Sequence, residues 1–192
     1  MELVLASNSP RRRELLTQLG VVFRVMPADI DESVGEDETP QDYVLRMAME
    51  KAQAVAKLET GACVLGADTT VVLDDDILGK PQGRGDALAT LARLSGRDHH
   101  VMTGICLATP GGSHGEVVTT RVTFVTLDLP TCEAYLATDE PWDKAGCYAL
   151  QGLGGAFVRS IQGSYSNVVG LPLSETWQLL RTAGIATALE RA

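Results

Sequence analysis

The first twenty residues place a short apolar run directly before a sequence that suits the start of a helix. Residues 3–6 read Leu-Val-Leu-Ala, which is typical of a short buried strand. Ser9 is a favoured N-cap residue, Pro10 fits the first helical position, and Gly20 suits the end of the helix. The chain is therefore predicted to begin with a strand, a hydroxyl-rich turn and a helix over residues 10–19.

Three consecutive arginines, Arg11, Arg12 and Arg13, fall in the first turn of this helix. The N-terminus of a helix has unpaired N–H groups and the positive end of the helix dipole, so it favours anions rather than cations. Three positive charges there cost free energy unless an anion completes the site. A phosphorylated ligand is the simplest such anion, and a solvated basic turn is the alternative.

The overall charge makes this local cluster more informative. The 192 residues carry a net charge of −9, which argues against non-specific binding to nucleic acid. The length is that of one domain, in one or two lobes. Because no apolar stretch approaches ~20 residues and no basic segment precedes an apolar one at the N-terminus, we expect no membrane span, no signal peptide and a cytoplasmic location.

Cysteines, histidines and clustered aspartates do not predict a metal centre. The four cysteines are widely spaced and are expected to be reduced, mostly buried thiols: Cys63, Cys106, Cys132 and Cys147. His99 and His100 are interpreted as a surface pair, since no third ligand is evident. The run Asp74–Asp76 is interpreted as the solvated tip of a hairpin.

Apolar runs alternate with helical patterns along the chain, which predicts an α/β fold. Strands are expected at residues 3–6, 21–26, 63–67, 70–73, 101–108, 117–127 and 156–161. Helices are expected at residues 10–19, 40–58, 86–94, 130–137 and 173–182. Predicted hairpins at residues 73–77 and 109–112 imply a mixed sheet flanked by helices. No linker separates independent domains, so residues 1–192 are predicted to form a single domain.

The long helix carries a lysine on its apolar face. Its core-facing stripe is predicted to be Val44, Met47, Ala48, Val55 and Leu58. Lys51 lies four residues from both Met47 and Val55, so it falls within this stripe. A lysine that points inward requires an anionic partner or loses its proton, whereas the alternative is a buried stem with the ammonium in solvent.

Three further residues are candidates for chemistry. Asp68 follows the apolar residues 63–67, and ligand sites in open α/β sheets gather at the ends of strands. Lys80 lies between a glycine and a proline. Gln151 lies in a segment with four glycines in ten residues and offers a donor and an acceptor to a base edge, although a plain flexible loop is an equal alternative. One acid and several cations suit phosphoryl or nucleotidyl transfer.

Seven segments in order resemble the Maf family of nucleotide pyrophosphatases nearly from end to end. They are Ala-Ser-Asn-Ser-Pro-Arg-Arg (6–12), Glu-Lys-Ala (50–52), Gly-Ala-Asp-Thr (66–69), Gly-Lys-Pro (79–81), Asp-Lys-Ala-Gly (143–146), Gln-Gly (151–152) and Val-Gly-Leu-Pro (169–172). Within the family the chain is most similar to the dTTP/UTP pyrophosphatases, because Arg11 or Arg12, Thr69 and Gln151 stand at that branch's specificity positions. The sequence at 147–150, Cys-Tyr-Ala-Leu, departs from the commoner Ala-Tyr-Gly-Ile, which should alter packing but not chemistry.

This resemblance implies a fold, a reaction and a set of roles. The fold would be related to inosine triphosphate pyrophosphatases, with a strongly twisted mixed sheet and a cleft between two lobes. The reaction would be hydrolysis of dTTP, UTP or modified pyrimidine nucleotides to the monophosphate and pyrophosphate. It would require Mg²⁺ or Mn²⁺. The enzyme would be a homodimer that removes unwanted nucleotides from the cellular pool. Asp68 would be the general base, and Glu32 with Asp68 would hold the metal. The remaining residues would grip the triphosphate: Ser7, Arg11, Arg12, Lys51 and Lys80.

Two other functions remain open. The sister branch of the family acts on 7-methylguanosine triphosphate, and Thr69 and Gln151 argue against it. A regulator of cell division that binds nucleotides without hydrolysing them is the second alternative. An aspartate among cations argues against it, because a protein that only binds phosphates has no need of a carboxylate beside them.

Overall fold

The computed structural model describes residues 1–190 of the chain as an α/β protein. The strands within these residues are β1 (Leu3–Leu5), β2 (Phe23–Val25), β3 (Cys63–Leu73), β4 (Asp76–Leu78), β5 (Asp98–Thr109), β6 (Gly112–Phe124) and β7 (Val158–Gln162). The helices within them are α1 (Pro10–Gln18), α2 (Pro40–Ala56), α3 (Arg84–Leu94), α4 (Leu129–Tyr135), α5 (Tyr165–Val169) and α6 (Leu173–Thr182). Short 3₁₀ turns cover Ala145–Cys147 and Leu153–Phe157.

The strands form a mixed sheet, as the predicted hairpins require. Their order is β2-β1-β3-β5-β6-β7, and β4 pairs with β3. β1 is parallel to both β2 and β3, whereas β4 and β7 run antiparallel to β3 and β6. The hairpin expected at residues 73–77 is confirmed, with Leu73 opposite Asp76. None of the described helices is long and apolar enough to cross a membrane.

The chain divides into two compact units. The first comprises Met1–Asp68, Thr103–Val118 and the C-terminal segment from Gly170, and the second comprises Thr69–Met102 and Thr119–Val169. In the first unit, α2 packs on small and aliphatic side chains of β1, β3 and β5, including Val4, Val64 and Cys106. In the second unit, an aromatic cluster of Phe124, Tyr148 and Phe157 packs with aliphatic residues of α3.

Most predicted elements are present, and the differences have physical causes. The two strands predicted at 63–67 and 70–73 are one strand, β3, because backbone pairing continues past the polar side chains of Asp68 and Thr69. The helix predicted to reach residue 58 ends at Ala56, and Leu58 is 73% exposed, so it does not belong to the core-facing stripe. The five-residue helix α5 carried no clear periodic pattern and was not predicted.

The interpretation of His99 and His100 as a surface pair is wrong for His99. Alternation along β5 points His99 inward, where it is 1% exposed, and leaves His100 in solvent. The His99 ring packs edge-on against Phe124, and its Nε2 lies 2.9 Å from the Tyr148 hydroxyl. Burial lowers the pKa of His99 to about 4, so this histidine is a neutral core residue at physiological pH.

The predicted thiols and hairpin tip are confirmed. All four cysteines are free and buried. At the hairpin tip, Asp74 is bonded to Arg97 at 2.7 Å and Asp76 to Arg93 at 2.6 Å, and both carboxylates remain mostly exposed. Within residues 1–190, no three histidine, cysteine, aspartate or glutamate side chains gather in a way that holds a metal ion.

Candidate active site

The turn between β1 and α1 holds Arg12 through oxygen acceptors. Ser9 caps α1 by accepting the backbone N–H of Arg12, and Ser7 Oγ accepts from the Ser9 amide at 3.2 Å. The Arg12 guanidinium donates to Ser7 Oγ at 3.2 Å and to the carbonyl oxygen of Gly170 at 2.9 Å. Ser7 and Arg12, both predicted to grip the triphosphate, are therefore in direct contact.

The charge of Arg12 interacts with two carboxylates that lie outside this turn, those of Asp68 and Glu32. Burial, and to a smaller extent the positive charge of Arg11, lower the pKa of Arg12. The negative charges of Asp68 and Glu32 raise it. An arginine stays charged despite such a shift. The positive charge of Arg12 therefore lies within interaction range of both Asp68 and Glu32.

Two glycines allow the helix α2 to pack directly on the sheet. A Cβ atom at Gly66 would lie 2.2 Å from the carbonyl oxygen of Ala48, and one at Gly104 would lie 2.2 Å from that of Val44. Gly66 is on β3, two residues before Asp68, and Ala48 is one turn before Lys51. This close approach brings the lysine of the helix to the aspartate of the strand.

We expect Gly66→Ala to destabilise the protein by about 1–3 kcal/mol, because the new methyl group would overlap backbone atoms that cannot turn aside. Thermal unfolding monitored by circular dichroism measures this loss. Gly85→Ala is the control, since a Cβ there meets no atom within 4 Å. Equal stability of the two variants would contradict tight packing at Gly66.

Lys51 joins the two carboxylates. The residue is 8% exposed, and its Nζ lies 2.7 Å from Asp68 Oδ1 and 2.6 Å from Glu32 Oε1. The side chain of Asp68 is 13% exposed and that of Glu32 is 53% exposed. The lysine on the apolar stripe therefore does point inward and finds anionic partners, while the group opens to solvent on the side of Glu32.

Asp68 does not end its strand, contrary to the sequence prediction. It lies in the interior of β3, but the parallel neighbour β1 stops opposite Leu65, three residues earlier. Asp68 thus lies just beyond the carboxyl end of β1, where the β1–α1 turn that contains Ser7 begins. Asp68 is therefore at the carboxyl end of the neighbouring strand rather than of its own, and strand ends are where ligand sites gather in open α/β sheets.

Tyr43 and Arg46, which the sequence analysis did not identify, hold the backbone at Glu32 and at the residue after it. Tyr43 donates from its hydroxyl to the backbone carbonyl of Glu32 at 3.1 Å, and Arg46 donates to the carbonyl of Ser33 at 2.9 Å. Arg46 also pairs with Glu38 at 2.6 Å. Burial, with the charges of Asp68 and Glu32, raises the pKa of Tyr43 to about 12, so its hydroxyl remains a donor. Tyr43 lies two helical turns before Lys51, and this spacing is the signal that could have identified it.

The carboxylates of Glu32 and Asp68 fit a hard divalent cation. Both place an oxygen within 2.7 Å of the same nitrogen, so both are within reach of one small ion. Mg²⁺ is usually held by one or two carboxylates, with water and substrate phosphates as its other ligands. Within residues 1–190 no third histidine, cysteine or carboxylate joins this pair to form a metal-binding group, which matches that pattern.

The remaining predicted residues are on the second unit, except for Arg11, which is half-buried in the first turn of α1. Thr69 follows Asp68 on β3 and is also half-buried. Lys80 is exposed just after β4, and the carbonyl of Gly79 beside it accepts the amide of Gly146 at 3.2 Å. Gln151 is exposed before the 3₁₀ turn at Leu153–Phe157. The glycine-dense segment thus has the two 3₁₀ turns, Ala145–Cys147 and Leu153–Phe157, at its ends.

Comparison with known proteins agrees with the motifs. Residues 2–183 match the family of Maf-like proteins. A protein of Colwellia psychrerythraea named dTTP/UTP pyrophosphatase is 52% identical over 193 residues, covering 98% of this chain and 91% of its own. One of an Anaeromyxobacter species with the same name is 57% identical over 187 residues, covering 95% and 89%. Among solved structures, the Ham1 protein of Staphylococcus aureus has a TM-score of 0.48 and 15% identity, covering 65% of this chain and 72% of that chain.

These matches show to which protein family the chain belongs. An α/β protein with a mixed sheet, an arginine-bearing helix start and a Lys-Asp-Glu group is compatible with several phosphate chemistries. Identity above 50% over nearly the whole length narrows the class to one family. This chain belongs to the Maf family.

Proposed function

We propose that this protein is a nucleoside triphosphate pyrophosphatase that hydrolyses dTTP and UTP to the monophosphate and pyrophosphate. The observation that carries the proposal is the convergence of Lys51 on Asp68 and Glu32, with the charge of Arg12 within interaction range. The names of the relatives support the choice of substrate. Modified pyrimidine triphosphates are further substrates of the same reaction.

In the proposed mechanism Asp68 accepts a proton from the attacking water. The water oxygen forms a bond to the α-phosphorus, the bond to the bridging oxygen of the β-phosphate breaks, and pyrophosphate leaves with that bond's electron pair. A base held in place by an ion pair suits this role, because proton transfer requires a fixed geometry. Lys51 orients Asp68 at 2.7 Å before substrate arrives.

Cations bind the triphosphate and stabilise charge on its oxygens. Arg12, held by Ser7 and Gly170, is fixed in orientation, and Arg11, Lys51 and Lys80 add further positive charge. A divalent cation, Mg²⁺ or Mn²⁺, held by Glu32 and Asp68 would supply additional charge stabilisation to the phosphate oxygens. In this structure the Lys51 ammonium contacts two carboxylates. When the triphosphate binds, its oxygens compete with these carboxylates for the ammonium.

Base selection is assigned to Arg11, Thr69 and Gln151. The side chain of Gln151 is exposed and presents both a donor and an acceptor, which matches the edge of thymine or uracil. The cellular part of the proposal is a cytoplasmic homodimer that removes unwanted pyrimidine nucleotides. Size measurement in solution tests the homodimer independently of activity.

A panel of nucleoside triphosphates tests the proposed function. We expect dTTP and UTP with Mg²⁺ to yield monophosphate and pyrophosphate in equal amounts, and we expect excess chelator to stop the reaction. Both products are measured, because release of orthophosphate with a diphosphate would place the cleavage elsewhere. Preference for 7-methylguanosine triphosphate would favour the sister branch, and binding without pyrophosphate release would favour a regulator.

A further inference from the structure

Glu140 is bound to the chain just after Gln151. Its Oε2 accepts the backbone amide of Leu153 at 2.9 Å, and its Oε1 accepts that of Gly154 at 2.8 Å. The Tyr135 hydroxyl donates to the same Oε1 at 2.8 Å. Hydrogen bonds to a carboxylate are stronger than those between neutral groups, so this contact holds the segment firmly.

The Tyr135 hydroxyl also holds the chain just before Gln151. Its oxygen accepts the backbone amide of Ala149 at 3.2 Å while it donates to Glu140. The segment is thus tied on both sides of Gln151 to one pair of side chains. Because the Gln151 side chain is exposed, the fixed backbone defines the point from which its amide group extends into solvent.

The glycines of this segment allow the chain to approach Glu140 and Tyr135 closely. A Cβ at Gly152 would lie 2.1 Å from Glu140 Oε2, and one at Gly154 would lie 2.8 Å from the Tyr135 hydroxyl oxygen. Contact with Glu140 and Tyr135 therefore explains two of the four glycines in this segment.

The Glu140 side chain is a carboxylate at neutral pH, the form that accepts the hydrogen bonds from the two backbone amides. Burial raises its pKa, but the amides of Gly154 and Leu153, the Tyr135 hydroxyl and the charge of Lys144 together outweigh burial and lower it. Lys144 is also fastened to the same turn, since its Nζ donates to the Glu140 carbonyl at 2.7 Å. A carboxylate at neutral pH accepts all three hydrogen bonds at once.

We infer that Glu140 is a positioning residue for base selection, because it holds the segment that presents Gln151. This inference rests on the proposed function, in which Gln151 reads the pyrimidine edge. Thymine and cytosine have the same ring size but opposite patterns at the 4-position, an acceptor in thymine and a donor in cytosine. Discrimination between them depends on where the amide of Gln151 lies, since a displaced partner no longer rejects the wrong pattern.

Glu140→Gln tests this inference with little change in size. Its NH₂ group would face a backbone N–H donor, so one hydrogen bond is lost and the segment shifts. We expect the ratio of kcat/KM for dTTP over dCTP to fall about 10-fold, mainly through a higher KM for dTTP, while kcat changes little. Glu133→Gln, an exposed change on the helix α4 that carries Tyr135, is the matched control.

The ratio of kcat/KM for dTTP over dCTP in Glu140→Gln decides whether the inference holds. An unchanged dTTP/dCTP ratio in folded Glu140→Gln would overturn it, and so would an equal loss of kcat for both nucleotides, which indicates a merely structural role. If Glu140→Gln does not fold, Tyr135→Phe replaces it, with an expected fall of a few-fold, and an unchanged ratio would again overturn the inference. If the wild-type protein hydrolyses no nucleotide of the panel, the proposed function fails, and this inference fails with it.

Discussion

The Asp68→Asn variant is expected to lose pyrophosphatase activity by at least about 100-fold while remaining folded. Asparagine has the same shape as aspartate but cannot accept the proton of the attacking water. Its amide oxygen still accepts a hydrogen bond from Lys51, and Glu32 still pairs with that lysine at 2.6 Å. The loss should therefore appear in kcat, measured as pyrophosphate released from dTTP, with circular dichroism to verify the fold.

Asp75→Asn is the matched control for this experiment. Asp75 lies at the exposed tip of the β3–β4 hairpin with a φ of 68°, a conformation that asparagine also tolerates. We expect wild-type turnover from the control. Turnover near the wild-type rate in Asp68→Asn itself would show that the base lies elsewhere.

Replacing Lys51 with methionine is expected to raise the KM for triphosphate and to lower kcat, together reducing kcat/KM by about 100-fold. Methionine fits the apolar face of α2 around Met47 and Val55, so the protein should stay folded. Loss of the ammonium removes the cation that contacts both carboxylates, those of Glu32 and Asp68. Because Glu32 is half exposed, the cost in stability should be only about 1–3 kcal/mol.

Lys57→Met is the control for the loss of one positive charge, since Lys57 is exposed at the C-terminal end of the same helix. Steady-state kinetics with dTTP and urea unfolding compare the two variants. If Lys51→Met changes stability but neither KM nor kcat, the lysine is only the structural partner of the two carboxylates.

Local sequence rules predict helix starts and hairpins well in this chain, because these depend on neighbouring residues. Ser9 and Thr39 cap α1 and α2 through hydrogen bonds to amides three residues later. The helix α6 has the bounds expected from its periodicity. The three aspartates at the β3–β4 turn form the expected hairpin. Such features involve short separations along the chain, where residue type alone limits the conformation.

Contacts between distant residues could not be predicted in the same way. Leu65 is the last residue of β3 paired with β1, and nothing in residues 63–73 shows where that neighbour ends. The burial of His99 could not be predicted from its neighbours in sequence, because its partners, Phe124 and Tyr148, are remote along the chain. Glu140 binds amides 13 and 14 residues later, at a spacing that matches no helical or strand period.

Residue chemistry alone singled out Lys51 and Asp68, because a charged residue on an apolar stripe or beside a buried strand is costly without a partner. Glu32 was indicated only by the family resemblance. Which partner each one takes is a matter of three-dimensional packing. Lys51 meets Asp68 because Gly66 and Gly104 let a helix rest on the sheet backbone, and it meets Glu32 because Tyr43 and Arg46 hold the preceding segment. These contacts depend on distances between segments that fold together, and no single segment contains that information.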